Sequence, residues 1–226
     1  MSHLESADAR LFPATTSLPA SVRDIRAAEE EKKENDKEKN DMISKKLLET
    51  RTVLVMDGID DKLQRQVTSQ LLVLEAIDPE APITVLINSP GGSIDAGFGI
   101  YDMLKFVACP IRTIGAGVVA SAAVLVYLGG DKGNRLSFPN ARYLIHQPSS
   151  GAFGQASDIE ITANQIKKLR KQADDLIAGE IDVDVKKLAE DRKRDFWLDA
   201  TEAAKYKLVD KIVSSRDELK DAKKKS

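Results

Sequence analysis

Apolar and polar positions follow two different rhythms along the middle of the chain. Short apolar, β-branched runs predict strands, at residues 52–59, 82–89, 110–117 and 141–148. Between them apolar residues recur every three or four positions, which predicts helices, at residues 63–78, 94–108, 121–129 and 156–181. Strands that alternate with helices are typical of an α/β domain built from crossover units.

Two charged segments flank this pattern. Residues 28–40 read AEEEKKENDKEKN, and the chain ends in RDELKDAKKKS. Neither stretch can bury enough apolar surface to fold alone. We therefore expect a charged N-terminal segment (residues 1–40) that is disordered or, alternatively, a solvated helix, one folded domain (residues 41–215) and a charged C-terminal tail (residues 216–226).

Composition excludes several classes of protein. The chain has 226 residues, of which 42% are hydrophobic, which suits one packed domain with tails. A net charge of −2 gives no basic field for nucleic acid. A single cysteine, Cys109, excludes an internal disulfide framework. The N-terminus lacks a signal-peptide pattern, and the longest apolar run, Gly115 to Gly130, is short for a membrane span. We expect a cytoplasmic protein that binds neither nucleic acid nor membrane.

The stretch NSPGGSIDAG, residues 88–97, joins a predicted strand to a predicted helix. Its adjacent glycines would let backbone N–H groups approach a ligand closely, and the helix N-terminus adds positive potential. These features suit an anion or oxyanion site. Taken alone, a Pro-Gly-Gly turn is more often only a turn.

Ser121 carries the one hydroxyl in the apolar run VVASAAVLVYLGG, residues 118–130. A serine between a strand and an apolar helix occupies the same position as the serine of a nucleophile elbow, although the G-x-S-x-G pattern is missing. There the amide of Ala122 would point towards a developing oxyanion. The alternative is a capping or packing serine, and the local sequence by itself favours that alternative.

A general base for such a serine would have to be His146, because the other histidine, His3, lies in the charged segment. His146 ends a predicted strand, where a purely structural histidine is an equally ordinary choice. Four carboxylates that follow it compete to orient the ring: Asp158, Glu160, Asp191 and Asp195. Asp195 stands before Phe-Trp, so we expect it to be partly buried and partnered; the alternative is a helix-cap aspartate.

Several motifs together resemble the proteolytic subunit of the Clp protease: NSPGGSIDAGFGIYD, the Ser121 segment, ARYLIHQPSSGAFGQASDIEI and RDFWLDATEAAKYKLVD. The resemblance covers about residues 41–213. It implies a crotonase-like α/β fold, a stack of ββα units with a protruding strand–helix handle. It also implies a serine endopeptidase of the ATP-dependent type that cleaves unfolded polypeptides to short peptides.

The resemblance assigns the site residue by residue. It implies a catalytic triad of Ser121, His146 and Asp195, with the amides of Gly92 and Ala122 as the oxyanion hole. It implies no metal or other cofactor. Substrate would lie extended between two backbone segments, formed by Gly91, Gly92, Ser93 and Ile94 and by Ser150, Gly151, Ala152 and Phe153.

The family assembles as two stacked heptameric rings and works with a hexameric AAA+ unfoldase, so we expect both partners. The chain departs from the family pattern at several positions. Ala122-Ala123 replace the usual Met-Gly, and Lys193 replaces an acid that pairs with arginine across the rings. Thr84 and Leu86 stand where the unfoldase cleft often has tyrosines, although Phe106 is kept.

Two other functions compete with an active peptidase. The chain could be a catalytically silent subunit of a mixed ring, which a fluorophosphonate would not label. It could also be an acyl-CoA-binding enzyme on the same crotonase-like scaffold, because fold alone does not fix function. Binding of CoA in a thermal-shift titration would identify that case.

Overall fold

Strands and helices alternate along the computed structural model of the chain, which describes residues 41–147 and 154–219 together with Glu29, Lys32 and Lys39. The strands are β1 (Thr52–Val55), β2 (Ile83–Ser89), β3 (Ile111–Ala120), β4 (Arg135–Ser137), β5 (Arg142–Ile145), β6 (Phe196–Asp199) and β7 (Lys211–Ile212). The helices after β1 are α1 (Asp61–Ile77), α2 (Ile94–Phe106), α3 (Ala122–Leu128), α4 (Ala156–Ile181), α5 (Val185–Asp191) and α6 (Ala200–Lys205).

The chain divides into two units, residues 1–46 and residues 47–226. In the first unit the described residues are helical and exposed. The second unit carries the sheet and the hydrophobic core. The predicted domain limits at residues 40 and 215 stay predictions, because most of residues 1–40 and all of residues 220–226 lie outside the described ranges.

The described strands form a branched sheet. Its main path runs β1-β2-β3-β4-β7 with parallel neighbours. β5 leaves this path, because it pairs in parallel with the C-terminal end of β3. β6 then adds to β5 in the antiparallel direction. The branch brings the ends of β3, β5 and β6 to one place.

The branch depends on a bend in the middle of β3. Its first half, Thr113–Gly115, pairs with β4, whereas Val118–Ala120 pair with β5. Gly117, between the halves, has a φ of 62°, a left-handed value that favours glycine. A Cβ there would lie 2.6 Å from Oδ1 of Asn88, the atom that accepts a 3.0 Å hydrogen bond from the Val118 N–H. Glycine at 117 therefore lets β3 exchange one partner for the other.

Helix α3 lies at the centre of the core, and all seven of its side chains are buried. A helix that is apolar on every side needs such a position. The glycines and apolar residues of α2 pack on one face of α3. There, a Cβ added to Gly97 would lie 3.1 Å from Cβ of Ala122. The start of α3 is thereby fixed against the start of α2.

Helix α4 has the predicted bounds, but only its C-terminal part packs on the domain. None of residues 156–172 is buried, whereas Ala173, Ile177 and Ile181 are. Ile159 and Ile161, in the first turns, are 41% and 60% exposed. The N-terminal part of α4 therefore leaves an apolar surface uncovered in the single chain.

Glu180 anchors the packed end of α4 to the sheet. Its carboxylate pairs with the buried Arg135 and accepts a 2.5 Å hydrogen bond from the Tyr101 hydroxyl, and Lys105 Nζ lies 3.2 Å away. Burial alone would raise the pKa of Glu180, but the hydrogen bonds from Tyr101 and Arg135 outweigh burial and hold that pKa below its usual value. The carboxylate is therefore ionised and holds two helices and β4 together.

None of the helices in the described residues combines the length and the apolar composition that crossing a bilayer requires.

Candidate active site

Ser121 forms a strained turn between β3 and α3. Its φ of 58° and ψ of −126° are rare for a residue with a side chain. A nucleophile elbow is a sharp, strained strand-to-helix turn of this kind. The backbone is held on both sides, since the Ser121 N–H donates to the Leu144 carbonyl (2.9 Å) and its carbonyl accepts from the Val124 N–H (3.0 Å). The side chain makes no capping hydrogen bond and is half-buried. The capping role that the local sequence allowed is therefore wrong.

The Pro-Gly-Gly turn packs directly against this elbow. A Cβ on Gly91 would lie 2.5 Å from the Ala120 carbonyl oxygen and 2.6 Å from Cβ of Ser121. Gly91 and Gly92 also have φ values of 92° and 150°, which favour glycine. At Gly91 only a bare α-carbon fits so close to the serine, and at Gly92 a Cβ would lie 2.3 Å from the Ile59 carbonyl oxygen. Both glycines are therefore needed for contact and for conformation.

Hydrogen bonds hold the turn in place. The Ser89 hydroxyl donates to the Asp57 carbonyl (2.6 Å) and accepts from the Gly91 N–H (3.1 Å). Ile59 pairs with the turn on its other side, since its N–H donates to Gly91 O and its carbonyl accepts from Ser93 N, both at 2.8 Å. The turn is therefore rigid before any ligand arrives.

Two backbone amides at this junction have no hydrogen-bond partner in the part of the chain that the structure describes. No hydrogen bond between described residues uses the N–H of Gly92 or of Ala122. Both residues line the same cavity as Ser121. A pair of unpaired, fixed N–H groups beside a hydroxyl is the arrangement that stabilises an oxyanion.

His146 and Asp195 face each other across the β5–β6 ladder. Antiparallel pairing sets Ile145 opposite Phe196, so the next pair outward is His146 and Asp195. His146 Nδ1 lies 3.8 Å from Asp195 Oδ1, about 1 Å longer than a hydrogen bond. Parallel pairing of Ala120 with Leu144 places His146 beside Ser121, and both residues line the cavity.

The expected burial of Asp195 is wrong for the single chain. Its side chain is 67% exposed. The neighbouring rings pack elsewhere, since Phe196 contacts Tyr206 and Trp197 stacks on Arg142. The aromatic neighbours that suggested a buried carboxylate therefore do not enclose it.

The other three carboxylates do not pair with His146 in the described structure. Asp191 is used elsewhere, because it accepts hydrogen bonds from Lys187 and Tyr206, which lower its pKa. Asp158 and Glu160 lie in the exposed first turns of α4. Asp195 is the candidate that the fold brings to the histidine.

A cavity of about 530 Å³ opens beside Ser121. Its walls come from the turn after β2, the start of α3, the end of β5 and one face of α4. The apolar lining residues are Pro90, Ile94, Ala122, Leu125, Ile145, Ile166, Leu169, Ala173 and Ile177. Ser93 and Ile94, expected in one substrate-binding segment, also line it. Ser150, Gly151, Ala152 and Phe153, expected in the other segment, lie outside the described residues.

Sequence reasoning missed two charged residues of this cavity, the exposed Asp95 and the buried Arg192. Arg192 belongs to the run DRKRD, which is typical of an exposed surface. In the structure its side chain is 1% exposed and lines the cavity. No pattern in the sequence marked it, because its burial depends on a partner that lies 18 residues earlier, Asp174 in α4.

The described residues contain no group of three or more His, Cys, Asp or Glu side chains that could hold a metal ion.

The chemistry that the arrangement supports is nucleophilic attack by Ser121, with His146 beside it as the group that exchanges protons.

Known proteins are similar to this chain in sequence and in structure. The sequence model of the Clp protease family matches residues 34–216. The ATP-dependent Clp protease proteolytic subunit 2 of Treponema denticola is 42% identical over 189 residues, which cover 84% of this chain and 94% of that protein. The protein of the same name from Pseudomonas aeruginosa is 42% identical over 172 residues, covering 76% and 85%. A solved structure of a ClpP1 point mutant from Listeria monocytogenes superimposes with a TM-score of 0.73 at 42% identity, covering 79% of this chain and 99% of that one. The fold is therefore the crotonase-like ClpP fold.

The contact between the glycine turn and the elbow predicts the cost of a single methyl group. Gly91→Ala combines an unfavourable φ with a collision against backbone, so we expect it to lower the free energy of unfolding by about 3 kcal/mol. Gly133→Ala is a matched control, since Gly133 has a φ of 88° but nothing within 4 Å of the added Cβ. The control should lose about 1 kcal/mol. Urea titrations at one protomer concentration measure both values, and equal losses would contradict the close contact.

Proposed function

This chain belongs to the Clp protease family and is a serine-type endopeptidase, and we propose that Ser121, His146 and Asp195 form its catalytic triad. The observation that carries the assignment is the Ser121 elbow. Its strained backbone presents a hydroxyl free of helix capping to a cavity that His146 also lines. Strain of this kind costs energy and persists where the surrounding structure enforces it.

In the proposed reaction His146 acts as the base. It takes the proton of the Ser121 hydroxyl as the oxygen attacks the substrate carbonyl carbon, and it later gives that proton to the leaving amine. Asp195 faces Nδ1 of His146, so it would hold the N–H on that nitrogen and leave Nε2 to accept the serine proton. A water molecule then attacks the acyl-enzyme ester by the same route and releases the second product.

The unpaired amides of Gly92 and Ala122 would hold the oxyanion of the tetrahedral intermediate. Removing one such donor has cost roughly 3–4 kcal/mol of transition-state stabilisation in other hydrolases. Because both donors are backbone groups, the Ala122-Ala123 pair in place of Met-Gly leaves them intact. The side chains there affect the shape of the cavity instead.

We propose that substrate adds to the site as an extended strand along the backbone of residues 91–94. Gly92 is exposed and its N–H is unpaired, so main-chain hydrogen bonds can form without displacing internal ones. Residues 150–153 are proposed as the opposite edge on the basis of the family motif alone. Main-chain pairing suits unfolded polypeptides of many sequences.

The looseness of the His146–Asp195 pair supports a role for assembly. In the single chain the carboxylate is exposed and about 1 Å too far from the ring. The uncovered apolar part of α4 needs a partner, and we propose that it contacts a second ring in two stacked heptameric rings. Neighbouring subunits would then restrict the turn of residues 192–195.

A partner that unfolds substrates follows from the same family. The similar proteins from Treponema and Pseudomonas are named as subunits of an ATP-dependent protease, and we propose a hexameric ATP-driven unfoldase for this chain. Phe106, at the end of α2, is 77% exposed and is available for such docking. Thr84 and Leu86 are partly buried in β2, so they add less to that surface than tyrosines would.

The triad assignment is tested by substitution. Ser121→Ala should abolish both cleavage of fluorogenic peptides and labelling by a fluorophosphonate, and Asp195→Asn should lower kcat by about 10³-fold or more because the ring loses its orienting partner. Ser69→Ala is the control, because Ser69 is an exposed residue of α1, and it should change neither readout. Substantial peptide cleavage by Ser121→Ala would overturn the assignment. A wild type that the fluorophosphonate does not label would favour a silent subunit. Stabilisation of the wild type by CoA in a thermal-shift titration would favour an acyl-CoA enzyme.

The role of assembly predicts a link between particle size and reactivity. Ile161→Glu places a charge on the exposed apolar surface of α4 and should divide the fourteen-subunit particle into smaller species. Because a misplacement of about 1 Å can cost about a hundredfold in rate, these species should be labelled about a hundredfold more slowly at Ser121. Native mass spectrometry of the labelled mixture measures size and labelling together. Small species that are labelled as fast as the intact particle would contradict the proposal.

A further inference from the structure

A buried ion pair forms part of the wall of the cavity beside Ser121. Arg192 Nη2 pairs with Asp174 Oδ1, and both side chains are less than a tenth exposed. Arg192 Nη1 also donates to the His146 carbonyl oxygen, at 3.3 Å. Of these two charged groups, Arg192 lines the cavity and Asp174 does not.

The guanidinium keeps an unused donor. Its Nε and Nη2 are buried and make no hydrogen bond among the described residues, although Nη2 lies in the ion pair with Asp174. A buried donor without a partner is costly, and a ligand that supplies an acceptor recovers that cost. The side chain is also rigid, because its two terminal nitrogens are held by Asp174 and by the backbone of His146.

The rest of the cavity is mostly apolar. Eight aliphatic side chains line it. Its other charged lining residue, Asp95, is exposed, so the field of that carboxylate is screened by water. The charge of Arg192 is balanced by Asp174. The cavity therefore combines apolar walls with a fixed donor rather than with a net charge.

If Ser121 is the nucleophile, this cavity receives the side chain of the scissile residue, the substrate residue whose carbonyl is attacked. We propose that Arg192 is a specificity-determining residue, which selects scissile residues that carry a hydrogen-bond acceptor at the end of an apolar stem, such as Gln or Met. Lys and Arg are disfavoured, because a cation meets the guanidinium without an acceptor. The inference rests on the proposed function and extends it to the substrate.

The test compares two scissile residues of similar size. Methionine sulfoxide ends in a strong acceptor, has no donor and is uncharged, whereas norleucine has no acceptor. The readout is the ratio of kcat/KM for fluorogenic peptides that carry one or the other. A purely structural role for Arg192 would change both values together and leave the ratio unchanged.

The double variant Asp174→Asn with Arg192→Met removes the whole pair, so the cavity loses its donor without gaining a buried unpaired charge. Its ratio is compared with that of the wild type. We expect the ratio of kcat/KM for the methionine sulfoxide peptide to that for the norleucine peptide to fall about tenfold. A loss of this size is what removal of one hydrogen bond to a charged group would cause. Asp174→Asn alone should also raise cleavage after Glu relative to Gln, because the guanidinium is no longer neutralised.

Arg170→Met is the matched control. Arg170 Nε lies 4.0 Å from the other oxygen of Asp174, but its side chain is 40% exposed and does not line the cavity. Its ratio should equal that of the wild type. An unchanged ratio in the double variant, or a wild type that cleaves best after Lys, would overturn this inference while the proposed function stands. Failure of the wild type to cleave any of the peptides would overturn both.

Discussion

The close contact between the Gly91–Gly92 turn and the Ser121 elbow is the constraint on which the site depends. Two parallel strands, β2 and β3, end side by side, and each is followed by a helix, the partly buried α2 or the fully buried α3. Their turns can touch only because Gly91 presents no side chain to Ser121 and to the Ala120 carbonyl. That contact sets the distance between the hydroxyl and the two unpaired amides. A hydrolase whose oxyanion donors are backbone groups tolerates changes of side chain there, but not changes in this spacing.

The second half of the site follows from the branch in β3. Because β3 bends at Gly117 and takes β5 as its new partner, the end of β5 arrives beside the elbow with His146. The antiparallel β6 then brings Asp195 opposite the histidine. β5 and β6 have four residues each, against ten in β3, and β6 is less buried than β5. The elbow is rigid in the single chain, whereas the carboxylate is exposed and loosely placed. Rigidity therefore decreases from nucleophile to orienting group, which is the order expected if neighbours in a ring complete the site.

Local patterns predicted the elements that carry their own signal. Helix α4 has its predicted bounds, and α1 buries the predicted residues Leu63, Val67, Leu71 and Leu74. Strand β3 extends to residue 120 rather than ending at 117, because its last residues are strand only through pairing with β5. The short strands β4, β6 and β7 and the helices α5 and α6 were not predicted. Elements of two to seven residues are defined by distant partners and leave little periodicity to detect.

The site shows the same division. Local sequence favoured a packing or capping role for Ser121, and only the family motifs pointed to attack; the elbow geometry, which no local pattern encodes, agrees with the motifs. Asp195 was expected to be covered by its aromatic neighbours, but those rings pack on Tyr206 and Arg142. Arg192 was missed because burial of a charge depends on a tertiary partner.

The most direct test of the central claim is a crystal structure of the assembled wild type after reaction with a peptidyl phosphonate. We predict a covalent bond from phosphorus to Ser121 Oγ and a phosphoryl oxygen about 2.7–3.1 Å from the nitrogens of both Gly92 and Ala122. His146 should stand within hydrogen-bond distance of Ser121 Oγ and of Asp195. A phosphonate bound to another residue, or a phosphoryl oxygen turned away from both amides, would contradict the account.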